Sequence, residues 1–598
     1  MNKMNYIKMT LIAVTFSFCG NTSYSQTAST TISPTFIVNN NSKPLLGITM
    51  DARTGMMGNS GSVGYFNSTG NLIPNIDTLF NDFPLNGVRY PGQAIMVGFE
   101  WKKSIGTGTR PIQTLLGTLG PGQSVDFGFD EFMDYCESKG LNGADIQIMI
   151  PIYDSLITYG KAAQDSARVP YPAQNAADWV EYANCPDTAN WGGGVAWGAQ
   201  RAANGHPSPY NIKTWNIGNE PWGSAEYGFT SSTFVNNYFN DVTPIIDSML
   251  ARDTTIHITI STTGNAYSHW NKGVRDYKRL NGKVYGISPH FFSDMQNVDN
   301  IESTLSLIID SANAAGLKVI LGDFSHEINN GMSTTEKNQA MSWKGVNFTT
   351  DMLLMFSQQN TIERADHWLF GMTNSTWRPI RKETSGIYTL LPVGKFYKMI
   401  SPYFQKNSLY SVSTSPIASD GHPYSLRASA FSNATNDTIT VIALNRDSIN
   451  SLIYTVNGLS SFNLFNAKIL TADSLHGETI YSNNIAPDIN GNFTLPASSI
   501  LLLSYTSSLT SVNQIDKNAD QITVFPNPFS TETVLKTNFL LKNAKISILN
   551  SLGMEVFQIN NVHGQSVIIK QNNLHSGIYY ITIIQEKQNL TAKIIITN

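Results

Sequence analysis

Ile212-Lys213-Thr214-Trp215-Asn216-Ile217-Gly218-Asn219-Glu220-Pro221-Trp222 reads as a short apolar strand that stops at a glycine and delivers an amide and a carboxylate. Seven further apolar runs have the same build, at 44–50, 85–90, 144–150, 256–261, 283–287, 317–321 and 364–370. Helical patterns separate most of them. Phe129, Phe132, Met133 and Cys136 fall at helical spacing across 130–138, and a second helix is expected over 348–356. Eight strand–helix units predict an α/β fold, a (β/α)8 TIM barrel over residues 26–400. A doubly wound sheet is the competitor, but no glycine-rich phosphate loop follows the first strand.

Outward from the barrel the pattern changes. Residues 401–507 show strands alone, at 425–431, 438–445, 464–470 and 499–505, which predicts a β-sandwich beside the barrel. A polar linker follows at 508–520. Residues 521–598 form a small C-terminal all-β domain with strands expected at 544–549, 555–559, 577–584 and 591–596 and a turn at Ser551-Leu552-Gly553.

Composition narrows the class. Of 598 residues, 41% are hydrophobic, enough for real cores, whereas 14% are charged against about 25% in ordinary domains. With 39 basic and 43 acidic side chains the net charge is −4, which argues against a nucleic-acid partner. At the N-terminus Lys3 and Lys8 precede an apolar run at 9–18, and Ser23-Tyr24-Ser25 offers a cleavage site before Gln26. Residues 1–25 are therefore expected to be a secretory signal, with no transmembrane segment in the mature chain. Cys136 and Cys185 then remain; one disulfide is allowed, although Cys136 in a helical pattern reads as a buried apolar side chain.

A barrel builds its active site at the C-terminal ends of its strands. Strand four ends in Asn219-Glu220-Pro221-Trp222, strand seven in Gly322-Asp323-Phe324, and strand one in Asp51. Two carboxylates across a barrel mouth are what glycoside hydrolysis needs. One protonates the leaving oxygen and the other attacks or stabilises the oxocarbenium-like carbon. Glu220 and Asp323 are the candidate pair. Asn219 beside the acid suits a sugar hydroxyl. Glu327, four residues past Asp323, is the alternative carboxylate, though an ordinary loop acid fits it better. Arg89 can keep a carboxylate ionised or serve as a structural ion pair. His290 can bond substrate or nucleophile, or be a satisfied structural group. Trp101 and Trp222 can stack on sugar faces or simply pack. No metal-binding or nucleotide motif is present.

Val88-Arg89-Tyr90-Pro91-Gly92, Phe99-Glu100-Trp101-Lys102, the 127–132 and 177–182 segments, and 201–220 together resemble the family 51 glycoside hydrolases, chiefly α-L-arabinofuranosidases. The resemblance runs over about 43–401. It implies a retaining two-carboxylate mechanism with Glu220 as acid/base, a carbohydrate substrate, no metal and no organic cofactor. It also puts Asp51 where the family has a sugar-binding glutamate and His290 where it has a histidine; Arg89, Trp101, Asn219 and Trp222 complete the substrate-binding candidates. The chain departs from the family at several points. Asp323 and Asp51 stand where glutamates are usual, Phe292 where a tyrosine is usual, and Gln93 where a second glycine follows Arg-Tyr-Pro-Gly. A shortened carboxylate retracts by up to about 1.5 Å, one C–C bond, which leaves retention and inversion both open.

The segment Val524-Phe525-Pro526-Asn527-Pro528, the turn at 551–553 and Ser576-Gly577-Ile578-Tyr579-Tyr580 resemble the C-terminal sorting domain of the type IX secretion system of Bacteroidetes. That implies the type IX machinery as a partner and a secreted or cell-surface location. Two functions follow: a secreted glycosidase, or a non-hydrolytic carbohydrate-binding protein whose nucleophile has eroded.

Overall fold

The computed structural model describes residues 26–507 and 522–597, apart from 53–71, 82, 93–94, 96–97, 107–113, 116–122, 125–126, 155–168, 223–231, 266–267, 294, 327–341, 371–378, 551–554 and 586–587. The expected signal at 1–25, the linker at 508–520, Gln93, the turn at 551–553 and Glu327 lie outside the described residues. The chain divides into two compact units, 1–508 and 509–598.

Eight parallel strands close into a barrel in chain order: Gly47–Met50, Val88–Tyr90, Ile146–Ile150, Thr214–Ile217, His257–Thr263, Gly286–Ser293, Lys318–His326 and Ile362–Phe370. All eight runs read from the sequence are strands. Parallel strands buried on both faces read as continuous apolar runs, and Ile146–Ile150 is buried at every residue. The helix Phe129–Ser138 starts where the Glu131 carboxylate accepts from the Gly128 N–H at 3.0 Å, one half of a capping box. It buries Phe129, Phe132, Met133 and Cys136, the face its spacing predicts. Trp343–Ser357 is helical and almost wholly buried, because it lies between the barrel and the neighbouring sheet.

That neighbouring sheet has nine strands, and its two ends share one core. Leu452 and Leu495 at one end pack in the same cluster as Leu501 and Ile469 near the other, so the sheet curls over itself. On its outer side Ile442, Leu444, Leu470, Ile500 and Leu502 join the barrel's core.

One boundary needs correcting. Residues 26–39 were expected in the barrel, but Gln26–Asn39 is a strand of the nine-stranded sheet. It runs antiparallel to Asn407–Thr414 and parallel to Leu452–Asn457. The physical reason is its alternation: Ala28, Thr30 and Ile32 turn inward while polar neighbours face out, a half-buried strand rather than a barrel strand covered on both faces.

A buried ion network ties the barrel to the sheet. Asp351 accepts from Arg446 Nε at 2.7 Å and also from Arg427. Arg427 forks onto Glu302 at 3.0 and 2.9 Å, and Arg446 reaches Asp299 at 2.5 Å. Burial pushes the Asp351 carboxyl up, but the two guanidinium groups outweigh it and hold it below its usual range. Cys136 and Cys185 are both buried free thiols, so no disulfide joins them.

The C-terminal unit is a five-stranded antiparallel sheet with its own core, including Leu535, Ile546, Ile581 and Ile594. The four strands expected there are present. Among the described residues no helix is long and apolar enough to cross a membrane.

Candidate active site

Gly218 ends the fourth barrel strand with φ of +79°, a conformation that favours glycine. A Cβ there would meet Ile152 at 2.4 Å, so the position is closed to larger residues on two counts. Asn216 Nδ2 donates to the Gly218 carbonyl at 2.7 Å and to Ser261 Oγ at 2.8 Å. These bonds pin the turn and aim Asn219 and Glu220 over the mouth.

Arg89, fully buried, holds the two sides together. Its Nη1 donates to Asp323 Oδ2 at 2.8 Å and its Nη2 to Asn219 Oδ1 at 2.9 Å. The second bond fixes which way the Asn219 amide points. Thr49 Oγ1 donates to the other Asp323 oxygen, Oδ1, at 2.5 Å. Both oxygens of Asp323 are thus gripped by side chains of the first and second strands, and the residue is only 3% exposed.

His290 stands between the acids. Its Nδ1 lies 2.8 Å from Glu220 Oε1 and 3.7 Å from Asp323 Oδ2. With Glu220 ionised, Nδ1 carries the proton and donates it. One nitrogen close to both acids caps the gap between those oxygens at about 6.5 Å, where inverting pairs begin and just beyond the roughly 5–5.5 Å of retaining pairs. Gly322 makes room for this ring, since a Cβ there would stand 2.6 Å from His290 Nε2 and 2.3 Å from Ser288 Oγ. Trp222 meets the ring edge-on at 5.6 Å.

The two acids shift in opposite directions. Burial pushes the Glu220 carboxyl up, but the hydrogen bond and charge of His290, with Arg89 behind them, win and lower it. Asp323 is raised: burial dominates, Glu220 adds to it, and Arg89, His290 and Thr49 recover only part. This arrangement of charges therefore favours an ionised Glu220.

Asp51 is buried at the end of the first strand, where a Cβ on Gly92, whose φ is +67°, would stand 3.0 Å from it. Phe292 is half-buried at the end of the sixth strand. The structure thus brings Arg89, Asn219, Glu220, His290 and Asp323 together, with Trp222 on the rim.

Trp101 is not part of this group. The sequence reading gave it a sugar face, but it is 1% exposed and stacks on Trp179 at 5.6 Å and 8°. Its indole N–H donates to the Asn175 carbonyl at 3.0 Å. The 177–182 helix brings a second indole against it, so both faces and the polar edge are used within the protein. The 201–207 segment is likewise structural, since Arg201 Nη1 donates to the carbonyls of Tyr182 and Cys185 at 2.6 and 2.9 Å.

Thr49 escaped the sequence reading. Its signal was available: it lies two residues before Asp51, so the period-2 rule puts both on the barrel's inner face. Asp366 escaped too. It is fully buried inside the eighth strand with Arg364 Nε at 2.9 Å, and burial, opposed by that arginine, pushes its pKa up to about 6. Among the described residues no group of three or more His, Cys, Asp or Glu side chains is placed to hold a metal ion.

Residues 79–303 match the family described as Alpha-L-arabinofuranosidase 1 domain, and residues 523–597 match the Secretion system C-terminal sorting domain. A probable α-L-arabinofuranosidase C of Aspergillus flavus is 33% identical over 143 residues, 24% of this chain and 23% of its own length. An extracellular exo-α-L-arabinofuranosidase of Streptomyces chartreusis is 25% identical over 294 residues, 47% of this chain and 30% of its own. The matches thus span less than a third of these curated relatives. A family 51 α-L-arabinofuranosidase from Bifidobacterium longum has the same fold, with a TM-score of 0.63 at 17% identity over 80% of this chain and all of that one. The enzyme from Thermotoga maritima gives 0.60 at 18%, over 80% and 99%. Part of the barrel, residues 79–303, is thus similar to an arabinofuranosidase domain, and residues 523–597 match a secretion sorting domain, which marks the chain for secretion or the cell surface.

Proposed function

We propose that this is a secreted glycosidase of the α-L-arabinofuranosidase type, acting on polysaccharide or oligosaccharide with retention of configuration. The observation that carries the reading is His290 Nδ1 between the two acids, at 2.8 and 3.7 Å. Although Asp323 is one methylene short of a glutamate, the facing oxygens stand no more than about 6.5 Å apart, at the near edge of the inverting range. Asp323 attacks the anomeric carbon, and Glu220 gives its proton to the leaving oxygen. Water then replaces Asp323 on the sugar, and Glu220 takes the proton back. For the first step Glu220 must be protonated, against its lowered pKa. A sugar that draws His290 away removes the strongest lowering influence on Glu220. Export by type IX machinery fits the sorting domain, and a plant or algal polysaccharide fits the family.

The test is hydrolysis of aryl α-L-arabinofuranosides by wild type and Glu220→Gln, with NMR of the first-formed anomer. Activity lost in the variant and a retained anomer support the reading. An inverted first product overturns retention. A second reading, a carbohydrate-binding protein without turnover, is favoured by one observation: both Asp323 oxygens are already engaged, by Thr49 and Arg89. Oligosaccharide binding with no turnover of any aryl glycoside would decide for it.

His290 gives a pH prediction. It lowers both acids, so His290→Gln should raise both pKa values. Loss of the proton from Glu220 sets the alkaline limb of activity and protonation of Asp323 the acid limb. Both limbs should move to higher pH, as kcat/KM against pH will record. Limbs that stay in place would remove His290 from this role.

A further inference from the structure

Thr49 lies directly beside Arg89 in the register of the first and second barrel strands. Neighbours in register point to the same face of a sheet, and both side chains are fully buried inside the barrel. They form one layer of two donors. The seventh strand, which carries Asp323, is separated from them by the eighth. The two donors reach past it and take one carboxylate oxygen each: Thr49 Oγ1 donates to Oδ1 at 2.5 Å and Arg89 Nη1 to Oδ2 at 2.8 Å. The Thr49 hydroxyl has a competing acceptor in the Gly322 carbonyl at 3.3 Å. It has one proton to give, and the carboxylate is both nearer and charged. Rotation about the terminal bond of an aspartate is broad and roughly two-fold. A donor on Oδ2 alone lets the carboxylate plane turn about that contact, and a second donor on Oδ1 stops it. Oδ2 is then the oxygen on the side of the acid, 3.7 Å from the His290 Nδ1 that bonds Glu220.

We propose that Thr49 is a positioning residue of the reaction, holding Asp323 Oδ1 so that Oδ2 is the atom that attacks. The proposal rests on the glycosidase reading for its reaction. In the first step Oδ2 bonds to the anomeric carbon while the bond to the leaving oxygen breaks, and that oxygen takes the Glu220 proton. Oδ1 becomes the carbonyl of the glycosyl ester and still accepts from Thr49. In the second step water bonds to the anomeric carbon, Glu220 takes its proton, and the bond to Oδ2 breaks. The negative charge that returns to Asp323 is met by a hydroxyl already in place. The same hydroxyl favours the ionised acid before attack. Burial raises the Asp323 carboxyl and Glu220 adds to it, while Arg89, His290 and Thr49 oppose them. Asp366 on the eighth strand also acts on it, as one acid on another.

Thr49→Val keeps the volume and removes the hydroxyl, whereas Thr49→Ser keeps the hydroxyl. On an aryl α-L-arabinofuranoside the valine variant should lose a factor of about 10 to 100 in kcat/KM, the worth of a hydrogen bond to a charged group. The serine variant should recover most of it. In Thr49→Val the acid limb of kcat/KM should move to higher pH while the alkaline limb stays. The hydroxyl lowers Asp323, whereas Glu220 is lowered by His290 and Arg89. This pattern differs from that of His290→Gln, which moves both limbs. An unchanged rate and acid limb in Thr49→Val would overturn the proposal. So would a serine variant as slow as the valine one, since the methyl group would then be what matters. Thr49→Ala takes the place of Thr49→Val if the latter does not fold. If the wild type turns over no glycoside, the glycosidase reading fails, and infrared titration of the Asp323 carboxyl decides whether Thr49 sets that acid. Its band is the one missing in Asp323→Asn. A midpoint raised in Thr49→Val and restored in Thr49→Ser supports the role, and equal midpoints overturn it.

Discussion

Asp323→Ala is expected to lower kcat on aryl arabinofuranosides by about four orders of magnitude, close to 5.5 kcal/mol of transition-state stabilisation. The methyl group cannot attack, and Arg89 is left buried without its carboxylate. Azide should restore turnover by entering the vacated space and attacking the anomeric carbon, with a glycosyl azide as product. Rescue also separates lost chemistry from lost folding, since an unfolded protein is not rescued. Asp323→Glu tests the fit from the other side. Thr49 and Arg89 grip the present carboxylate at 2.5 and 2.8 Å. An added methylene pushes it about 1.5 Å out of that grip, a misplacement that costs on the order of a hundredfold. A faster Asp323→Glu enzyme would mean that the native site is eroded rather than adapted. Full activity in Asp323→Ala would remove the residue from the mechanism and turn attention to Glu327.

The second large effect concerns cohesion between barrel and sheet. Asp351→Ala should destabilise the chain by about 3–5 kcal/mol, because it removes the buried carboxylate that two guanidinium groups share and leaves their Nε–H donors unpaired. Calorimetry should show a markedly lower melting temperature, and the sheet is expected to lose protection against hydrogen exchange first. Replacing Asp351, Arg427 and Arg446 together by apolar residues of similar volume should recover most of the loss, since the penalty comes from unpaired charge. A melting temperature unchanged in Asp351→Ala would show that water already reaches the network. The same network sets an acid limit. Burial raises Asp299, but His422 and Arg446 outweigh it and bring its pKa down to about 2. An acid with a lowered folded pKa adds stability above its unfolded value, near 3.8. That stability is lost as pH falls from there through about 2.

The barrel was legible because eight apolar runs recur with helical patterns between them, and a strand buried on both faces leaves a clear mark. Glu220 and Asp323 were legible because both follow such runs. Thr49 was not, because a lone threonine inside a strand looks like any β-branched residue until its partner on the seventh strand is known. Trp101 misled for a related reason: an aromatic beside the mouth says nothing about which side chain covers it. His290 was named, but its place between the acids depends on Gly322 in the neighbouring strand. The strand Gln26–Asn39 was misassigned because its partners lie hundreds of residues downstream.

That strand has a consequence for the order of events during folding. Thr30 and Ser413, 383 positions apart, share a hydroxyl bond of 2.9 Å. Residues 26–39 therefore wait, unpaired, until the whole barrel has been synthesised. Contacts of such long range are slow to form, and an open strand edge invites pairing with another molecule. A holdase that keeps residues 26–39 covered during passage to the outer membrane would suit this topology. Cutting the chain at residue 400 to isolate the barrel would leave Gln26–Asn39 permanently without its neighbours, and aggregation is the expected fate of that fragment. Removing residues 26–39 as well gives the barrel its better chance of standing alone, although the Trp343–Ser357 helix would still lack its cover.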